Sequence, residues 1–375
     1  MLAACATAPA PGLTDLRTEV LAADGVPVPR FEVDAAWPDL PDDLILGQVS
    51  GVAVGPDDTV WIVQRPGSLD PTERGLADDP PTAACCRPAP PVMRFSTSGE
   101  YLGGWGGPDA APDIDGVNQW PASMHGIFAD ADGTVWLAGN GAGDHVVLHY
   151  TVDGEYLSQI GRREASLGDL DRATLGNPAD IFLDADAGEV LVADGYANHR
   201  VIGFAAESGA FVRFWGADGN APVPSGEGDA PAPGDVDAAG FANPVHCVVK
   251  TSDDVLYVCD RINNRLQVYR EGAAGTVEFE RTIAFAPSTR GTGSVTDVAL
   301  SPDETYVYVA DMMNGRIWIL SRETHEVLAR IGRNGRYAGE FTWLHSVAAD
   351  SQGNLYTGEV FNGRRAQKLV LTGVE

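Results

Sequence analysis

Short apolar runs and turn clusters alternate along most of this chain, with almost no helical spacing. One such unit reads Gly126-Ile127-Phe128-Ala129, then Asp130-Ala131-Asp132-Gly133, then Thr134-Val135-Trp136-Leu137-Ala138. The second runs of other units read Glu189-Val190-Leu191-Val192-Ala193 and Tyr306-Val307-Tyr308-Val309-Ala310. Third runs follow short polar loops: Arg200-Val201-Ile202-Gly203-Phe204, Arg265-Leu266-Gln267-Val268-Tyr269 and Arg316-Ile317-Trp318-Ile319-Leu320. Fourth runs end in an aromatic residue or Ile before Gly, as in Phe211-Val212-Arg213-Phe214-Trp215-Gly216. β-Branched and aromatic runs bounded by Asp, Gly, Pro and Ser are strands.

Six such units can be aligned. One position near the start of each first strand holds Ser50, His125, Ala179, His246, Thr296 and His345, at intervals of 75, 54, 67, 50 and 49 residues by subtraction. A repeat of about 40–50 residues with four strands points to a propeller. The expected fold is therefore all-β: a six-bladed β-propeller of four-stranded blades, forming one domain over residues 26–375. The last repeat runs short after Lys368, so the segment from Phe31 to Trp37 is expected to supply its missing strand and close the ring, which also protects edge strands. Loop-rich insertions at 66–91 and 217–240 interrupt the repeat.

The slot carries the chemistry. Histidine occupies it in repeats two, four and six, so a closed ring sets His125, His246 and His345 about 120° apart around one axis. The four remaining histidines, at 145, 149, 199 and 325, do not share this phase. Three imidazoles with a fourth position open suit a catalytic Zn²⁺, although imidazole also suits Fe, Cu or Ni. Small residues between them (Ser50, Ala179 and Thr296) leave room for a ligand. Arg65, Tyr196 and Arg261 stand at second-strand ends near the same mouth. Paired arginines can hold a carboxylate, and a tyrosine beside a cation can act as a general base. The recurring Asp-x-x-Asn-x-Arg at 260–265 and 311–316 reads differently: its Asp, Asn and Arg are turn-forming residues, whereas Arg261 and Tyr196 vary between repeats.

Composition narrows the partners. With 25 basic and 53 acidic residues the net charge is −28, the wrong sign for nucleic acid or an anionic membrane. No stretch is long and apolar enough to span a bilayer. Met1-Leu2-Ala3-Ala4-Cys5 resembles the end of a bacterial lipoprotein signal, which would place a lipid anchor on Cys5 and the protein outside the cytoplasm, and residues 1–25 are expected to form a flexible tether. Cys85 and Cys86 are either a vicinal disulfide or two thiols, and a hairpin would bring Cys247 near Cys259 without requiring a bond. A closed ring needs no partner subunit, so a monomer is expected.

The stretch from Val258 to Tyr269 resembles the NHL repeat. Together, His125, His246, His345, Arg65, Tyr196 and Arg261 resemble the site of peptidyl-α-hydroxyglycine α-amidating lyase, a six-bladed propeller with a three-histidine zinc. That resemblance spans most of residues 31–372. It implies cleavage of an α-hydroxyglycine C–N bond to an amide and glyoxylate, with Tyr196 as base and Arg65 and Arg261 on the substrate carboxylate of a peptide or smaller molecule. It also implies a calcium ion on the backbone carbonyls of Val52 and Ile127. The family's acidic calcium ligand is Ser346 here, however, which counts against calcium because hard cations prefer charged oxygen. Trp343 replaces the family's Met in the substrate pocket, and Ala197 replaces a disulfide cysteine, so the family's disulfides do not carry over. These departures leave room for a different substrate. Two alternatives remain: a non-catalytic NHL propeller binding a protein or glycan at the cell surface, and a lactonase-type hydrolase.

Overall fold

Each repeat becomes one antiparallel sheet because its second strand is covered on both faces by neighbouring sheets, while its fourth is not. The strands Glu189–Asp194, Val255–Asp260 and Tyr306–Asp311 are buried along their whole length; Val277–Ala284, a fourth strand, is mostly exposed. In the computed structural model, which describes residues 14–223 and 234–375, six sheets are arranged as the blades of a propeller.

Blade one is Gln48–Val54, Val60–Arg65, Val92–Phe95 and Tyr101–Trp105. Blade two is Met124–Ala129, Thr134–Gly139, Val146–Thr151 and Tyr156–Gly161. Blade three is Asp180–Asp184, Glu189–Asp194, Arg200–Ala205 and Phe211–Trp215. Blade four is Val245–Lys250, Val255–Asp260, Arg265–Glu271 and Val277–Ala284. Blade five is Val295–Leu300, Tyr306–Asp311, Arg316–Ser321 and Val327–Ile331; blade six begins with Leu344–Ala349, Leu355–Glu359 and Arg365–Val374. Among the described residues, helix is confined to three-residue 3-10 turns, and no helix is long and apolar enough to cross a membrane.

The hydrophobic core is divided by the fold into one cluster at each blade–blade interface. Tyr257, Leu266, Val298 and Leu320 fill the gap between blades four and five; Trp61, Val63, Ile127 and Leu148 fill that between one and two. A fully buried side chain of this size contributes roughly 1.5–3 kcal/mol, so adjacent blades hold each other.

Ring closure follows the sequence expectation. Pro29–Asp34 pairs with Arg365–Val374, with Val33 opposite Leu369 and both fully buried, and becomes the fourth strand of blade six. Residues 14–25 correct the expected tether. Thr14–Asp15 adds a fifth strand to blade six, and Thr18–Val20 pairs with the outer strand of blade five, Glu19 opposite Arg330. Leu16 explains this docking, since it is buried with Phe31, Ile331 and Phe341 between blades five and six. Cys5 and residues 224–233 of the second insertion lie outside the described residues. Cys247 is bonded to Cys259 across the first hairpin of blade four, and Cys85 to Cys86 in the exposed insertion of blade one.

Candidate metal centre

The slot residues meet at the axis, and a local irregularity turns them there. The pairing of first and second strands shifts register at the slot of blades one, two, four, five and six, between Val49 and Gly51, Met124 and Ile127, Val245 and Val248, Val295 and Asp297, and Leu344 and Ser346. Such bulges re-aim a side chain at a site. His125, His246 and His345 are consequently buried, with ring centroids 4.8, 4.6 and 4.7 Å apart and ligating nitrogens all within 4.8 Å of one another.

Odd blades hold the even-blade histidines in place. Nδ1 of His125 lies 2.7 Å from the Ala179 carbonyl, that of His246 is 2.6 Å from the Thr296 carbonyl, and that of His345 is 2.7 Å from the Ser50 carbonyl. A carbonyl only accepts, so each Nδ1 donates and each neutral ring presents an Nε2 lone pair. Glycine permits one of these contacts: a Cβ on Gly126 would sit 2.5 Å from the Ala179 oxygen. Burial, reinforced by neighbouring cationic groups, pushes His125 and His246 well below their ordinary pKa, and burial followed by Arg65 and Arg261 pushes His345 to about 3. All three rings are therefore neutral at neutral pH, the form that binds metal.

Tyr196 caps the triangle. Its oxygen is 2.9 Å from Nε2 of His125 and 3.1 Å from Nε2 of His246, and it accepts a hydrogen bond from Nη1 of Arg261 at 2.9 Å. The close approach of Gly195 to blade four carries the tyrosine inward, since a Cβ there would lie 1.9 Å from the Val245 oxygen. One phenol proton can serve only one of these imidazole lone pairs. Three converging acceptors with a single proton between them fit a divalent cation, and buried imidazole nitrogens suit Zn²⁺ among others.

Two arginines flank this group. Arg261 is buried, and its Nε–H has no hydrogen-bond partner among the described residues, which leaves a donor available to a ligand. Arg65 is more committed, donating to the Met124 carbonyl at 2.8 Å, to Gln48 at 3.0 Å and to Asn140 at 3.3 Å. Trp343, two residues before His345, packs on the half-exposed Phe361 with centroids 4.6 Å apart.

Below the histidines the channel widens into a cavity of about 420 Å³ lined by first strands of all six blades. Its acidic residues bear on the calcium expectation. Ser346 indeed brings no carboxylate, but Asp180 and Asp297, each one residue past the slot on blades three and five, supply two. Asp297 Oδ2 accepts from Ser346 Oγ at 2.8 Å and from the Val347 N–H at 2.9 Å; Asp180 Oδ2 accepts from the Val248 N–H at 3.3 Å. Ser346 Oγ is also 3.5 Å from the Val52 carbonyl, while Ile127 lines the cavity wall. Burial raises both acids, Asp297 to about 6 and Asp180 well above its ordinary value with Asp297 as the second cause. Aligning the residue after the slot would have revealed this pair.

Several known proteins are similar to this chain. Rat peptidylglycine alpha-amidating monooxygenase is 26% identical over 242 residues, covering 63% of this chain and 22% of that protein. The Xenopus laevis A form is 25% identical over 350 residues, covering 88% and 32%. Drosophila melanogaster peptidyl-alpha-hydroxyglycine alpha-amidating lyase 1 is 24% identical over 266 residues, covering 66% and 44%. The chain thus spans between a fifth and a half of the length of these three relatives. No family model matches it. Among solved structures, a putative gluconolactonase superposes with TM-score 0.53 at 12% identity (96% of this chain and 94% of that one), and a streptogramin B lyase with 0.50 at 12% (91% and 98%). These likenesses define the class: a six-bladed β-propeller whose sequence relatives are enzymes. More particularly, those sequence relatives are α-amidating lyases and monooxygenases, at 24–26% identity.

Proposed function

We propose that this protein is a metal-dependent lyase that cleaves the C–N bond of an α-hydroxyglycine-type amide, releasing an amide and glyoxylate. The observation that carries the reading is the convergence of three neutral imidazoles, the Tyr196 phenol and the unpartnered Arg261 donor at one point on the axis. His125, His246 and His345 would hold the cation, with zinc as the expected ion. When bound, it supplies Lewis-acid polarisation of a substrate oxygen.

The protein's own groups do the rest. Arg261, with Arg65 beside it, takes the substrate carboxylate. Tyr196, as the phenolate favoured by the hydrogen bond from Arg261, receives the hydroxyl proton and becomes the phenol. The hydroxyl-bearing carbon becomes a carbonyl as its bond to nitrogen breaks. The proton then passes to the departing amide nitrogen, so no atom is gained or lost. Trp343, larger than the family's Met, narrows the pocket and selects the group on the amide side. The carboxylates of Asp180 and Asp297, with the Val52 and Ile127 carbonyls, would be the oxygen donors for any second, calcium-class ion. Export to an oxidising compartment accords with two disulfides.

Elemental analysis of protein purified without added metal or a polyhistidine tag tests the reading. About one zinc per chain, with glyoxylate release from an α-hydroxyhippurate-type substrate, and loss of both in His246→Ala, are expected. Absence of transition metal even after incubation with zinc would overturn it in favour of a binding propeller.

A further inference from the structure

The third strand of four blades begins with an arginine, and three of these arginines clamp an acid at the end of the second strand. Nε of Arg200 donates to Asp194 at 2.9 Å, Nε of Arg265 to Asp260 at 2.7 Å, and Nε of Arg365 to Glu359 at 2.6 Å. Arg316 breaks the rule. In blade five the acid, Asp311, is held by Asn314 at 2.9 Å and by the indole N–H of Trp318 at 3.0 Å. Trp318 stands where the other three blades carry Ile202, Gln267 and Gln367. Arg316 keeps only a 3.4 Å contact to the Asn314 carbonyl.

The released guanidinium does not stand alone. Arg17, Arg316, Arg330 and Arg333 line one pocket of about 110 Å³, with Glu19 and Gly332. Arg330 is answered by Glu19 through two bonds of 2.8 Å, and Arg333 by Glu340. Arg17, exposed, has no side-chain partner among the described residues; its carbonyl accepts from Gly332 N–H at 2.8 Å, which fixes the segment against blade five. Arg316 and Arg330 each lie 5.6 Å from the Trp318 ring centroid, an arrangement that holds guanidinium planes while leaving N–H edges free. Burial, then Arg330, pull Arg316 below its ordinary pKa. In a chain of 25 basic and 53 acidic residues, clustering four arginines with two unanswered is costly unless an anion completes them.

We propose that this pocket binds a phosphate-class oxyanion, either free or as the terminal group of a small phosphorylated molecule. Arg17 and Arg316 are its ligands, while Arg330 and Arg333 supply the surrounding field. Its volume is below the roughly 300–1,000 Å³ of ordinary small-molecule sites, so only the anionic group enters and any larger body stays outside. Guanidinium edges match tetrahedral oxyanions in bidentate fashion. The site is built by the N-terminal segment and blade five and is separate from the axial histidines.

Calorimetric titration of the full chain with inorganic phosphate at low ionic strength tests this, with phenyl phosphate in parallel to distinguish the free ion from an esterified group. Saturable binding of one equivalent of either is expected, weakened at least about tenfold in Arg17→Gln and in Arg316→Gln, as loss of a charge-assisted bond requires. Arg270→Gln, which removes the same charge at an exposed pair with Glu280, should bind like the parent. Arg17 is exposed, so its variant reports binding even if Arg316→Gln folds poorly. No saturable binding by the parent, unchanged binding in Arg17→Gln, or equal weakening in Arg270→Gln would overturn the proposal.

Discussion

Even and odd blades share one strand plan but furnish the axis with different groups. At the slot, blades two, four and six bring imidazoles, and blades five, one and three bring carbonyls that receive their Nδ1 protons. One residue further on, blades three and five bring Asp180 and Asp297, where blades one and two have only glycine. A sixfold repeat has thus become an alternating device in which ligand and ligand-holder sit on neighbouring blades. Each histidine is oriented by a blade other than its own, so the geometry of the triangle depends on blade packing as much as on the imidazoles themselves.

Removing the part that odd blade three lends to the histidine triangle should have the largest effect. Tyr196→Phe is expected to lower kcat about 10²–10⁴-fold, the usual worth of a positioned acid–base group, while elemental analysis finds metal content unchanged. An intermediate effect is expected for Gly126→Ala, which changes no ligand side chain. Its Cβ would push the Ala179 carbonyl from His125, and zinc competition with a chromophoric chelator should show affinity about 10–100-fold weaker. Unchanged affinity would mean that the odd-blade carbonyls do not matter.

The two ends of the channel should also answer pH in opposite senses. The histidines are held below their ordinary pKa, so the unfolded chain takes up protons that the folded one refuses, and their contribution to stability is lost as pH falls from about 6.5 toward the folded values. Asp180 and Asp297 are held above theirs, so stability is greatest below about pH 4 and lost as pH rises through about 6. With chelator present, Asp180→Asn should therefore melt higher than the parent at pH 8, by a gain on the order of 1–2 kcal/mol, and no higher at pH 4. Thermal melts at the two pH values read this smallest effect.

How much of this was legible depended on what the repeat displays. The histidine slot stood out because strand grammar sets the phase and alternate blades break it. Tyr196 and Arg261 stood out by varying beside constant turn residues. Asp180 and Asp297 did not, because the family resemblance places a carboxylate only after the last histidine, at Ser346, and here the acids stand on other blades. Strand pairing by residues 14–20 was hidden in runs of two and three residues whose partners lie at the ring seam; Glu19 meets Arg330, 311 residues away. Arg316 looked like its counterparts, since what frees it is a tryptophan two residues later.

The seam between the chain's two ends has a consequence for assembly. His345 stands on the last blade in chain order, and that blade takes its fourth strand from Pro29–Asp34, more than 300 residues earlier in the sequence. The histidine triangle is therefore incomplete until blade six is joined to that early strand, however early His125 and His246 fold. Any ion that needs all three imidazoles can thus be held only by a closed ring.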